Sequence, residues 1–193
     1  ASSDPHLAQL IERLGPLEYA VRTDYFEFLC ETVIGQFLSK KAAVSLCEKF
    51  YERYNNPINR EELQMASVDD LRSIGLSRNK AIAINELTEH EADLCLDSMP
   101  LVSNQEVISR LTKITGIGPW TAKMFLIFAL DRQDILPYED GAFMQAYLWL
   151  YGARSKKPST VSRRCRTWRP FSSIAARYLY IALDSGLTKD SIR

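Results

Sequence analysis

The sequence predicts an all-α fold. Apolar residues recur at three- and four-residue spacing in one segment after another, no stretch alternates apolar and polar side chains with a period of two, and each apolar stripe is bracketed by cap and breaker residues. The first clear stripe is Phe26, Leu29, Cys30, Val33, Ile34 and Phe37, behind Asp24 as a helix cap. Ser39 can cap the next helix, which carries Ala42, Ala43, Leu46, Cys47 and Phe50 before a break at Asn55-Asn56-Pro57. Ser67-Val68-Asp69-Asp70 starts a short helix closed at Gly75, and Ser77-Arg78-Asn79-Lys80 opens another through Ile82, Ile84 and Leu87. Ser103-Asn104-Gln105-Glu106 has the form of a capping box, in which serine and glutamate each satisfy the other's amide. After Asp140 a stripe of Phe143, Ala146, Tyr147, Leu150 and Tyr151 follows, and then a polar connection from Gly152 to Arg166. Pro170 is expected to begin a final long helix, with Ile174, Tyr178, Ile181 and Ala182 facing inward and Gly186 closing it. No internal repeat is visible.

At 193 residues the chain can bury a substantial core, as one compact unit or two lobes. No apolar run approaches the roughly 20 residues that span a bilayer, so no membrane association is expected. Ala1-Ser2-Ser3-Asp4-Pro5 lacks the basic stretch and apolar core of a signal peptide. Cys30, Cys47, Cys95 and Cys165 are scattered without close pairs, which argues against a zinc site or disulfide framework and suits a reducing cytosol. The net charge is zero, yet between Gly141 and Leu183 there is no Asp or Glu while Arg154, Lys156, Lys157, Arg163, Arg164, Arg166, Arg169 and Arg177 all occur. Acid is concentrated elsewhere, as in Glu86, Glu89, Glu91, Asp93 and Asp97. A chain polarised in this way can set one positive face on a phosphate backbone; a solvated basic loop is the alternative for residues 154–166.

The stretch Leu111-Thr-Lys-Ile-Thr-Gly-Ile-Gly-Pro-Trp-Thr-Ala-Lys123 carries most information. Gly116-Ile117-Gly118 is a very short turn between two helical segments, and its glycines can take positive φ and let other backbone approach. Pro119 suits the first position of a new helix. Outward amides at the turn and helix start would favour an anion, above all a phosphate oxygen, and would hold a strand without reading its bases. Downstream, Pro137-Tyr138-Glu139-Asp140 places a carboxylate at the start of a helix.

This Gly-Ile-Gly-x-Trp-Thr-Ala segment, with Pro-x-x-Asp after it, resembles the helix-hairpin-helix DNA glycosylases, and in particular their 3-methyladenine DNA glycosylase II branch. The resemblance covers roughly Asp24 to Gly186. It implies a two-lobed α-helical glycosylase fold with the active site between the lobes, as a single unit over 1–193. The lobes would run from about 24 to 100 and from 101 to 193, the N-terminal helix joining the second. It implies no cofactor and no metal; the cysteine-bound iron–sulfur cluster of some relatives has no counterpart. By the same resemblance Asp140 is the catalytic carboxylate, although read alone it is an ordinary N-cap; Glu139 is the rival and the better candidate for a solvated neighbour. Gly141-Ala142 departs from the family, which places an apolar residue and then Gly after this Asp. Trp120 stands where strand-nicking relatives carry a nucleophilic Lys, so water is the expected nucleophile and no lyase step is expected. Lys123 is not expected to substitute for that Lys.

Ile34-Gly35-Gln36-Phe37-Leu38-Ser39 resembles the family's Ile-Gly-Gln-x-x-Ser turn. Phe37 becomes the candidate DNA wedge with Gln36 beside it near the opposite strand, while the apolar stripe would instead bury Phe37. Trp120, Met124 and Tyr180 match positions of a base pocket, Met124 standing where some relatives have Tyr and Tyr180 where they often have Trp. Gly116, Ile117, Gly118, Thr121 and Lys123 match the backbone-gripping positions. Leu76 to Lys80 resembles a further family segment. The implied activity is a monofunctional base-excision DNA glycosylase acting on alkylated purines such as 3-methyladenine in damaged double-stranded DNA, as a monomer. It would work in the nucleoid-bearing cytoplasm of a prokaryote or in a eukaryotic nucleus. A glycosylase for uracil, hypoxanthine or 8-oxoguanine, and a non-catalytic helix-hairpin-helix DNA-binding module, are the alternatives.

Overall fold

The computed structural model describes residues 4–189. In chain order its helices are α1 (Pro5–Leu14), α2 (Tyr25–Gly35), α3 (Lys40–Tyr54), α4 (Arg60–Gln64), α5 (Val68–Ser73), α6 (Arg78–Glu89), α7 (Glu91–Leu94), α8 (Asn104–Leu111), α9 (Pro119–Met124), α10 (Gly141–Tyr151), α11 (Pro158–Arg164) and α12 (Ser172–Asp184). Short 3-10 turns lie at Leu96–Leu101, Cys165–Trp168 and Leu187–Lys189, and a π-helical segment, Phe125–Ala129, continues α9. None of these helices is long and apolar enough to cross a membrane.

Two compact units form. One is Arg22–Leu130; the other joins the chain up to Val21 with the chain from Asp131 onward. The division thus falls at Leu130 and Asp131 and not near residue 100, because α9 and its π continuation pack on α2, with α8 packed on α9.

In the unit Arg22–Leu130, α2 is the central rod. Phe26, Leu29, Cys30, Val33 and Ile34 are buried under α3, α6 and the π segment. Asp24 caps α2 by accepting the Glu27 N–H at 2.8 Å, and both of its oxygens also take the Arg60 guanidinium. Ser67 and Asp70 form a complete capping box. The one expected at Ser103 is only half made: Ser103 Oγ accepts the Glu106 N–H at 3.2 Å, but Glu106 turns to Arg110 Nε, one helical turn on, at 2.7 Å. The apolar stripe of α2 also stops short of its expected end. The helix terminates at Gly35, Phe37 takes φ +58°, and its side chain is fully exposed.

In the other unit α10 packs against α12 and α1 around Phe143, Tyr147, Leu150, Trp168 and Leu179. Asp4 caps α1 by accepting the Leu7 N–H at 3.1 Å, and also accepts from Trp168 Nε1 at 3.0 Å and from the Tyr151 hydroxyl. Burial raises the Asp4 pKa, but these hydrogen bonds outweigh it and hold the carboxyl below its ordinary value. Three expectations need correction here. The region 152–166 is not simply a polar connection, since Pro158 opens α11 and Val161 and Cys165, four residues apart, are buried together. The last helix starts at Ser172 and not at Pro170, and its Ile181 is 40% exposed. Arg177 is withdrawn from the expected positive face: it is buried, donates to Asp131 Oδ1 at 3.2 Å and stacks 3.8 Å from the Tyr19 ring centroid. Tyr19 donates to the same Asp131 oxygen at 3.1 Å, so residues on both sides of the excursion 22–130 meet in one cluster.

Candidate functional site

The hairpin between α8 and α9 uses its two glycines differently. Gly116 has φ +81°, and a Cβ there would sit 2.9 Å from the Ala83 Cβ on α6, so glycine is required twice over. Gly118 is extended, with φ −99° and ψ −179°, and a Cβ there would meet nothing within 4 Å. Positive φ is therefore a property of one glycine and not of both. Ile117 is a buried plug whose N–H is already given to Ile114 O at 3.1 Å, so it offers no outward amide. Glu86 holds the turn from below, accepting the Thr115 N–H at 2.7 Å. The start of α9 has Gly118 as cap with no side-chain cap bond and Pro119 in the first turn, so its first amides have no preceding helical carbonyls. Thr121 is 1% exposed, backbone and side chain together, so it stands behind the turn; Lys123 is half-buried.

The turn after α2 lies against this hairpin. Gln36 Nε2 donates to Gly116 O at 3.0 Å and to Thr121 Oγ1 at 3.0 Å. Gln36 is thus turned onto the hairpin, where the sequence suggested it stood beside Phe37 toward a second strand. Lys80, from the segment Leu76 to Lys80, donates its ammonium to Ile34 O at 2.8 Å and closes the end of α2. Burial holds the Lys80 pKa below its ordinary value.

Asp140 belongs to the other unit. Pro137 to Asp140 form a tight turn, closed by the Asp140 N–H on Pro137 O at 2.9 Å. The carboxylate caps α10, accepting the Phe143 N–H at 2.6 Å, and it is 8% exposed. It also pairs with the hydroxyl of Tyr180 on α12, whose own pKa is pushed far up by burial and then by this carboxylate. Cap and hydroxyl together fix the carboxylate's orientation. Glu139 is exposed, as the sequence suggested. Gly141 is exposed with open space around it, so the departure at Gly141-Ala142 does not crowd the turn.

Trp120 and Met124 share one face of α9 at i, i+4 spacing, Trp120 half-buried and Met124 buried. The structure therefore joins Gln36 to Gly116 and Thr121, and Asp140 to Tyr180. Sequence reasoning missed Glu86 and the Tyr180 hydroxyl, because neither contact is local: each joins segments that nothing in the spacing pairs. Arg154, Lys156, Lys157, Arg163 and Arg166 are exposed, whereas Arg169 is paired with Asp134 at 2.7 Å.

Residues 30–170 match the family described as HhH-GPD superfamily base excision DNA repair protein. DNA-3-methyladenine glycosylase 1 of Schizosaccharomyces pombe is 30% identical over 182 residues, covering 90% of this chain and 79% of that protein. The alkylbase DNA glycosidase-like protein of the same yeast is 27% identical, over 93% of this chain and 89% of its own length. Among solved structures, the S. pombe 3-methyladenine DNA glycosylase in complex with abasic DNA superposes with a TM-score of 0.83 at 28% identity, covering 94% of this chain and 92% of that one. The DNA-3-methyladenine glycosidase from Bacillus halodurans gives 0.81 at 28% identity, over 98% and 89%. A glycine hairpin held from behind by α6, followed by a carboxylate locked at a helix start, is thus found in a chain matched over most of its length, and the chain belongs to the HhH-GPD superfamily of base excision DNA repair proteins.

Proposed function

We propose that this protein is a monofunctional DNA glycosylase that hydrolyses the N-glycosidic bond of alkylated purines, 3-methyladenine among them, in double-stranded DNA. The observation that carries the reading is Asp140: a carboxylate 8% exposed, fixed by the Phe143 N–H and the Tyr180 hydroxyl, three residues beyond Pro137. The activity named for the S. pombe relative supports the same assignment.

The chemistry suits a single acid group. An alkylated purine carries formal positive charge, so when its bond to C1′ breaks the electron pair leaves with the base and the base departs neutral. No group need protonate it. Positive charge then builds on the sugar, and a fixed carboxylate stabilises it by the electrostatics that serve glycoside hydrolysis. Water adds to C1′ and loses its proton to Asp140 or to solvent. A carboxylate held in place by its own fold needs little reorganisation as that charge appears. Trp120, in place of a nucleophilic lysine, leaves water as the attacking group and no covalent Schiff base. An electron-poor methylated ring is attracted to aromatic faces, and Trp120, Met124 and Tyr180 are the residues proposed to receive it.

The proposed grip on the strand centres on Gly116, Gly118 and Lys123, with the Gly118 amide as donor to phosphate, while the buried Ile117 and Thr121 hold the turn in shape. Phe37, exposed on its turn, is the proposed wedge that fills the gap left by the extruded base. The protein acts as a monomer, and size-exclusion chromatography with and without duplex checks this.

Incubating wild type with duplexes bearing 3-methyladenine, uracil, hypoxanthine or 8-oxoguanine, followed by alkali and heat, tests the reading. Breaks at the methylated purine are expected, and Asp140→Asn should retain DNA binding but lose about 100-fold or more in base release. Full activity in that variant, or breaks only at another lesion, removes the proposal. Borohydride should trap no protein–DNA adduct.

A further inference from the structure

Gln36 stands between two features given separate tasks above, the exposed Phe37 and the glycine hairpin. Its Nε2 has two N–H groups and two acceptors in reach, Gly116 O at 3.0 Å and Thr121 Oγ1 at 3.0 Å. The amide can be placed in only one sense, because turning it over would set its carbonyl oxygen against the Gly116 carbonyl. On its other side Gln36 is the residue that ends α2, with its own N–H on Val33 O at 3.3 Å. The next residue, Phe37, holds φ +58°, a conformation rarely adopted by a side chain of this size, and presents its ring wholly to solvent. Lys80 on Ile34 O at 2.8 Å and the Leu38 N–H on Gly35 O at 3.2 Å hold the turn on either side. The hairpin is equally immobile, since Gly116 lies against Ala83 and Thr115 is held by Glu86.

We infer that Gln36 is a positioning residue that locks the Phe37 turn to the glycine hairpin, so that gripping a strand and inserting the ring are one event. This rests on the wedge and hairpin roles proposed above. The hairpin decides where a phosphate sits; a strut of fixed length from its Gly116 carbonyl then decides where, relative to that phosphate, the ring enters the base stack. Gln36 acts through Phe37 and does not itself need to touch DNA. With the strut cut, the hairpin still binds a duplex, but Phe37 is no longer held in its strained turn and loses its register.

The test is a double-mutant cycle read by binding, so that it does not depend on catalysis. The probe is a duplex with a stable abasic-site analogue and 2-aminopurine beside it, compared with an undamaged duplex. Phe37→Ala is expected to weaken preference for the abasic duplex about tenfold in wild type but less than about threefold in Gln36→Leu, because interacting residues are non-additive. Gln36→Leu should bind undamaged duplex within about twofold of wild type, yet lose the 2-aminopurine fluorescence rise that reports unstacking. Thr121→Val, which removes one acceptor from the opposite side, should reduce that rise in the same direction and serves if Gln36→Leu fails to fold. An equal Phe37→Ala effect in both backgrounds, or an undiminished fluorescence rise in Gln36→Leu and Thr121→Val, overturns the inference. A silent Phe37→Ala in wild type overturns the wedge role and the strut with it. Absence of base release on every lesion overturns the glycosylase reading alone.

Discussion

Helices α9 and α10 begin in opposite ways, one with a bare glycine and the other with an aspartate folded back onto its own amides. Gly118 offers no side-chain bond to α9, so that helix starts without an acidic cap of its own. Asp140 satisfies α10 internally, through the Phe143 N–H at 2.6 Å, and in doing so the carboxylate becomes rigid. The same need of a helix start, a negative partner for its N–H groups, is met within the chain at α10 and by no side chain at α9, and the proposed reagent and the proposed grip follow from that difference. A third start sharpens the contrast. Asp4 caps α1 just as Asp140 caps α10, but its remaining contacts are Trp168 and Tyr151, both structural side chains of the same unit.

The largest effect should come from separating cap from reagent at α10. Asp140→Asn and Asp140→Ala should both lose about 100-fold or more in base release, while only Ala should lose about 1 kcal/mol of stability as the cap disappears. Equal stability of the two variants, by thermal or denaturant unfolding, would break the claim that capping fixes this group. Next comes Gly116→Ala, which forces alanine to φ +81° and against Ala83; it should cost about 1–3 kcal/mol of folding stability. Gly118→Asp would convert the start of α9 into the kind that begins α10. Its extended backbone accepts a capping side chain, so stability should hold or rise by roughly a few tenths of a kcal/mol. Duplex affinity should fall about tenfold or more as the new carboxylate occupies the amides and repels phosphate; unchanged affinity in a fluorescence titration would remove the open-helix account of the hairpin.

The smallest effect concerns Asp4, whose carboxyl is held below its ordinary value in the folded state. A lowered carboxyl pKa adds stability that is complete above the unfolded value of about 4 and is lost as pH falls from there through the folded value. Acid unfolding of Asp4→Asn should therefore be less steep in that window, with no change in base release at neutral pH. A parallel loss of activity would mean that the α1 cap reaches the chemistry after all.

Most of the fold was legible because helices advertise themselves locally. Asp24, Ser39 and Ser67 cap where their position before an apolar stripe says they should. Phe37 shows where that logic stops: by periodicity it continues α2, but the helix ends two residues earlier and the ring goes to solvent. Periodicity registers which residues would share a face and not whether the backbone persists. Asp140 is singled out as a candidate by its spacing from Pro137 and the hairpin, and its capping of α10 was legible in its place before an apolar stripe, whereas its partner Tyr180 lies on a helix forty residues away in sequence, beyond any local pattern. The acid-free, base-rich run after Gly141 suggested a positive face, yet burial withdrew Arg177 from it to serve Asp131. Composition counts charges without showing which ones the fold has already used.

That last cluster bears on how such a chain could be assembled. Tyr19 and Asp131 lie on either side of the excursion from Arg22 to Leu130, yet a single carboxylate oxygen receives the Tyr19 hydroxyl at 3.1 Å and the Arg177 guanidinium at 3.2 Å. Entry and exit of a whole helical block are therefore stapled side by side, as in an inserted module whose termini begin and finish at one doorway. Closing a loop between neighbouring ends costs little more entropy as the loop grows, since the penalty rises only with the logarithm of its length. Helices can accordingly be lengthened, exchanged or recombined inside that block while the host unit keeps the same seam.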